Sequence, residues 1–244
     1  MAQYAKEEGM TLTKLEQAVP ALKEYTKHMP EDIRSRCTVR IHKAGSIIHQ
    51  KNMELEHFGI VAMGENRVIN EFENGSVYMI EGNRAIDFIG EVTILAGMRH
   101  TSVTIEALTD NVVAYISRKD AERWLACDQN ILGLAARHTA FKLYRSSYDN
   151  GAKLFYPPSY LLLDYLVRFG REKGMESECP PKSLTVTRTR QMLQEEIGVG
   201  VKTLNRAVRQ LKEEGFFELL KGKITFNREQ YKRALLWLEE AKDK

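Results

Sequence analysis

Cysteine is scarce: Cys37, Cys127 and Cys179 are the only three in 244 residues, and they are widely separated. An odd, scattered set excludes a disulfide framework and the clustered thiolates of an iron–sulfur or structural zinc site, so the thiols are expected to be reduced. The six histidines (His28, His42, His49, His57, His100 and His138) include no His-x-His pair, and no nucleophile motif accompanies them. No metal centre is expected, and an enzyme is disfavoured on the same ground. No apolar run approaches the roughly 18–20 residues of a membrane span. The opening MAQYAKEEGMTLTKLEQ lacks the basic and apolar regions of a signal peptide, which leads to the expectation of a cytoplasmic chain without a membrane partner. What is present, 43% hydrophobic and 28% charged residues, is the composition of a folded globular protein.

Residues 11–27 carry Leu12, Leu15, Val19 and Leu22 at helical spacing, divided by Pro20. From Cys37 to Ser117 the texture changes to short runs of Val, Ile, Tyr and Phe punctuated by glycine, which predicts a β-sandwich or jelly roll. RVINEFENGSVYMIE is its clearest hairpin, turning at Asn74-Gly75. Residues 118–153 contain no proline and mostly good helix formers, predicting one or two helices, the second long. Leu134, Phe141 and Tyr148 recur there every seven residues, a seam that permits pairing with a second copy or packing on the chain's own β domain. Pro157-Pro158 breaks the helix, and a further helix is predicted over 159–171. The expected organisation is α+β: a sensing β-roll with N-terminal helices over 1–117, a helical dimerisation region over 118–156, and a third domain over 157–244, with a hinge near 155–158.

The third domain carries the most specific pattern. TRQMLQEEIGVGVKTLNRAVRQLKEEG, residues 189–215, reads as two helices around a turn at Gly198. Leu204, Val208 and Leu211 form one apolar stripe on the second helix, while Lys202, Asn205, Arg206 and Arg209 lie opposite. FFELLKGKITF then reads as a hairpin, completing a winged helix. Residues 182–233 hold twelve Lys or Arg against six Asp or Glu, so positive charge is concentrated here, as contact with phosphates requires.

A β-roll, a long helix and a winged helix in that order resemble the catabolite activator protein/Fnr superfamily of bacterial transcription regulators. Gly90-Glu91 within DFIGEVTIL, the segment TSVTIEALTDNVVAYIS, and the helix-turn-helix pieces 189–191 and 198–206 carry the resemblance. It implies a homodimer acting on double-stranded DNA with a palindromic site, controlled by a small effector, with RNA polymerase as a further partner. Carried over by position, Thr189, Arg190, Gln191, Gly200 and Thr203 face phosphates, whereas Val201, Lys202 and Arg206 face base edges. An arginine can bond guanine O6 and N7 together, which makes Arg206 the foremost base reader, and Asn205 offers an amide for adenine. Val201 and Lys202 stand where the activator has arginine and glutamate, so the operator should differ.

The resemblance also places an effector around Gly90, Glu91, Arg99, His100, Thr101, Ser102, Ser146 and Ser147. In its cyclic-nucleotide members a Gly-Glu pair holds the ribose and an Arg-Ser pair some ten residues on grips the phosphate. Thr101 and Ser102 fill the latter positions here, and the nearest cation, Arg99, comes two residues early. A buried phosphate without a guanidinium is poorly compensated, so cyclic AMP in the usual pose is disfavoured unless a loop shift brings Arg99 inward. Haem held by histidine, an anionic organic effector and no effector at all stay open. Two other classes are weighed. One is a small-molecule or haem/redox-sensing module whose winged helix mediates protein contacts. The other is an enzyme built on Asp87, Glu91 and His100.

Overall fold

The computed structural model describes residues 9–242, except the side chains of residues 148–150, 152, 154 and 242. The chain divides into two compact units, Met1–Ser146 and Ser147–Lys244.

The first unit opens with α1 (Leu12–Ala18), whose N-terminus is capped by the Thr11 hydroxyl accepting from the Lys14 N–H. Such a cap is worth about 1 kcal/mol. Pro20 starts a single 3-10 turn, followed by α2 (Lys23–Thr26) and α3 (Glu31–Arg36). Glu16 is buried among them, held by both Arg34 and the Thr26 hydroxyl, so its charge is satisfied inside the helical lead-in.

The β-roll follows: β1 (Thr38–His42), β2 (Ile47–His49), β3 (His57–Met63), β4 (Glu65–Glu71), β5 (Val77–Arg84) and β6 (Asp87–Ile89), then α4 (Glu91–Leu95), β7 (Thr104–Ala107) and β8 (Asn111–Ser117). Two antiparallel four-stranded sheets form, in the orders β1-β8-β3-β6 and β2-β7-β4-β5. β4 and β5 make the expected hairpin, with Gly75 at φ 77° and the Asn74 side chain accepting from the Ser76 N–H. The short helix α4 interrupts what the sequence reads as continuous β texture. A run of apolar residues this short fits helix or strand equally, and the left-handed Gly90 before it decides the matter.

β8 ends at Ser117, whose hydroxyl caps α5 (Arg118–Cys127). Asp128 then accepts from the Trp124 indole N–H and from the Asn130 N–H, joining α5 to α6 (Gln129–Phe155). One core lies between the first sheet and the helices, built from Leu12, Leu15, Phe58, Ile60, Trp124, Ile131 and Ala135 among others. A smaller one, Val61, Ile89, Val113 and Tyr115, lies on the opposite face.

The second unit comprises α7 (Pro158–Glu172), β9 (Ser183–Thr185), α8 (Arg190–Ile197), α9 (Val201–Glu213), β10 (Glu218–Leu220), β11 (Lys223–Asn227) and α10 (Arg228–Lys242). Its sheet runs β10-β11-β9, and the turn Lys221-Gly222 has positive φ at both positions, as a two-residue hairpin demands. Leu162, Leu204, Leu211, Phe217 and Ile224 are among the residues that close its core.

Candidate functional site

In the second unit, Gly198 takes φ 80° and ends α8, and Thr189 caps that helix by accepting from the Met192 N–H. α9 then presents two faces. Leu204, Ala207, Val208 and Leu211 are buried, while Val201, Lys202, Thr203, Asn205, Arg206 and Arg209 are all exposed. Gly200, at the N-cap, is exposed as well. Of the remaining expected phosphate contacts, Thr189 and Gln191 are exposed and Arg190 is half-buried. The Gln191 amide donates to Glu195, which holds it along α8.

In the first unit, β6 leads through Gly90 into α4, and this reversal brings Asp87 and Glu91 together. Gly90 has φ +89°, and an added Cβ would lie 2.9 Å from the Leu55 methyls, so the turn requires glycine. Glu91 is only 3% exposed and Asp87 is also buried. Their counter-charge comes from α6. Lys142 Nζ donates to Glu91 Oε1 at 2.7 Å and lies 3.0 Å from Asp87 Oδ2, with its own side chain only 15% exposed.

One turn earlier on the same helix, His138 Nδ1 lies 3.1 Å from Asp87 Oδ1. A proton on Nδ1 suits that carboxylate and leaves Nε2 to accept from the Tyr25 hydroxyl, 3.4 Å away. The ring also meets Phe88 edge-on, at 5.1 Å between centroids.

These contacts set the charges. Burial opposes ionisation of Asp87, but the His138 hydrogen bond and Lys142 together outweigh it and hold its carboxyl below the usual range. Burial pushes Glu91 upward against the pull of Lys142. Burial also opposes the Lys142 charge, yet Glu91, Asp87 and the more distant Glu81 more than compensate and hold the ammonium charged. Removing one partner of such a buried pair costs about 3–5 kcal/mol.

The other expected effector residues are placed differently. Arg99 is 76% exposed and pairs with Glu54 at 3.1 Å, so the loop shift that would turn its guanidinium inward is not adopted. His100 is exposed, and the histidine that joins Asp87 is His138 instead. The buried Thr101 hydroxyl is engaged by His49 at 2.9 Å and donates to the Gln50 carbonyl at 3.0 Å, while Ser102 is exposed. Ser146 is half-buried on α6, one turn beyond Lys142, and Ser147 is exposed.

Sequence reasoning missed Lys142 and His138. Their only local signal is a spacing of four residues, which puts two polar groups on one face of a helix otherwise read for its apolar seam. Among the described residues, no group of three or more His, Cys, Asp or Glu is arranged to hold a metal ion, and no helix is long and apolar enough to cross a membrane.

A β-roll followed by a long helix and a winged helix defines the class. Residues 39–128 match the family model of the cyclic nucleotide-binding domain, and this segment carries that domain. The chain has the Crp/Fnr-type transcription regulator fold. CLP, the c-di-GMP-responsive global regulator of Xanthomonas campestris, superposes with a TM-score of 0.68 at 15% identity, covering 79% of this chain and 95% of CLP. A Crp/Fnr-family transcriptional regulator from Eubacterium rectale gives 0.71 at 16% identity, covering 90% and 99%. CooA from Carboxydothermus hydrogenoformans gives 0.67 at 14% identity, covering 94% and 96%. The Eubacterium rectale protein is described as a transcriptional regulator, and CLP as a global regulator linked to virulence gene expression. No curated protein matches the chain.

The domain implies a cyclic nucleotide, and the residues present do not fit one in the usual pose. The glutamate that would accept ribose hydroxyls is bound to Lys142, the cradle offers Thr101 and Ser102 without a guanidinium, and Arg99 is committed to Glu54 at the surface.

Proposed function

We propose that the chain is a homodimeric, sequence-specific DNA-binding transcription regulator of the cytoplasm, controlled through its β-roll by something other than a conventionally bound cyclic nucleotide. The observation that carries this reading is α9, whose stripe Leu204, Ala207, Val208 and Leu211 is buried while Val201, Lys202, Thr203, Asn205, Arg206 and Arg209 face outward. A rigid helix with a solvent-facing cationic surface, entered through a glycine turn and backed by a wing, is suited to a major groove.

A second copy supplies the other half of the site. Phe141 and Tyr144, 58% and 78% exposed and three residues apart on α6, form an apolar strip that a partner helix would cover. Two-fold symmetry then sets two recognition helices about 34 Å apart, which requires a palindromic target. RNA polymerase is a further partner in this reading, and no catalytic step belongs to it.

Selection of random-sequence duplexes on the purified protein at physiological salt, with and without cyclic AMP, tests the proposal. The expected result is a two-fold symmetric motif recovered equally under both conditions. If no motif emerges and nucleic-acid binding depends only weakly on salt, the reading falls and the winged helix is a protein-contact module.

A further inference from the structure

We propose that the β-roll holds a binding site for a primary ammonium group, that Lys142 is its resident tethered occupant, and that this contact docks the long helix on the roll without any nucleotide. The proposal rests on reading the roll as the regulatory unit, and it is independent of whether the winged helix binds DNA.

Two carboxylates from two elements converge on one cation from a third. Asp87 of β6 and Glu91 of α4 are both buried, and Lys142 of α6 reaches both oxygens at 3.0 and 2.7 Å. Gly90 is required between the carboxylates, so their convergence is built into the backbone. Asp87 Oδ2 has Lys142 as its neighbour at 3.0 Å and is closed off from solvent. His138 and Tyr25 complete the surround.

Counting Asp87, Glu91 and Lys142, the cluster has a formal charge of −1, and Glu81 adds to the negative field. An anionic ligand that captured Lys142 would leave two buried carboxylates without a counter-ion, which is the costly way to break such a cluster. An organic cation with N–H donors can replace Lys142 on both carboxylates. The cluster is thus matched to an ammonium and not to a phosphate, the opposite of what its domain class implies.

Lys142→Ala removes a fragment equivalent to n-propylammonium, which defines the probe. Hydrogen exchange of the amides of residues 134–146 is measured in wild type and Lys142→Ala, with buried amides of α7 as an internal reference. In the variant, exchange of 138–146 is expected to be about tenfold faster or more, with α7 unchanged. Millimolar propylammonium should restore protection, whereas tetramethylammonium, which has no N–H, and sodium chloride at equal ionic strength should not. Lys142→Arg should retain protection, and cyclic AMP should leave the wild-type pattern unchanged. Unaltered exchange in Lys142→Ala, equal rescue by tetramethylammonium, or added protection of the wild type by cyclic AMP would each overturn the proposal. Should Lys142→Ala fail to fold, Lys142→Met keeps the helical packing and carries the exchange arm, with unchanged protection again counting against it. No DNA enters the assay, so its failure is separate from failure of the duplex selection.

Discussion

Arg206 and Arg190 carry the same charge in different settings. Arg206 is exposed on the outward face of α9, whereas Arg190 begins α8 half-buried, where burial disfavours its charge. On the proposed role, Arg206→Ala should relax preference at one base pair of each half-site, a discrimination of about 1–3 kcal/mol. Arg190→Ala should weaken all sequences alike and reduce the salt slope by about 1. Titrations of specific and random duplexes across a salt series read both, and identical behaviour of the two variants would remove the assigned roles. At this scale the sequence was informative wherever the signal is local. Gly90-Glu91 and Gly198 stand out because a turn and its neighbours are contiguous. The partner of Glu91 lies on α6, far along the chain, and no periodicity connects it to the roll.

Two helical glycines test how tightly the elements are packed. Gly170 on α7 faces Tyr231 of α10, and an added Cβ would sit 2.5 Å from that ring. Gly133 on α6 has open space around its missing side chain. Gly170→Ala should therefore destabilise the winged-helix unit by about 1–3 kcal/mol through overpacking. Gly133→Ala should instead stabilise its unit by about 0.5–1 kcal/mol, since alanine loses less backbone entropy in a helix. Urea denaturation of both variants checks the opposite signs. Most elements were readable from texture: the Asn74-Gly75 hairpin, the divided N-terminal helices, the break at Pro157-Pro158 and the wing. α4 was not, because five residues inside a β-rich stretch show too little period to be told from a strand. The long-helix seam divides physically. Leu134 packs against its own unit's core, Phe141 is exposed, and the Tyr148 side chain lies outside those described.

For the whole molecule, that exposed portion of the seam governs assembly in the proposed dimer. Phe141→Glu in each copy puts like charges across the pairing face, and sedimentation at micromolar concentration should show a monomer where the wild type is a dimer. Circular dichroism should stay unchanged, since the side chain is not part of the unit's core. An unaltered sedimentation coefficient would move the interface elsewhere. The succession of β-roll, long helix and winged helix was legible from the sequence because each segment has its own residue texture. The charge cluster in the roll was not, since Asp87, Glu91 and Lys142 meet only on folding.

His138 and Lys142 grip their carboxylates from successive turns of one helix. Advancing that helix by a single residue shifts it about 1.5 Å and rotates each side chain by roughly 100°, which takes both grips off together. The two grips thus belong to a single register of the helix and are made or lost as a unit when that register changes.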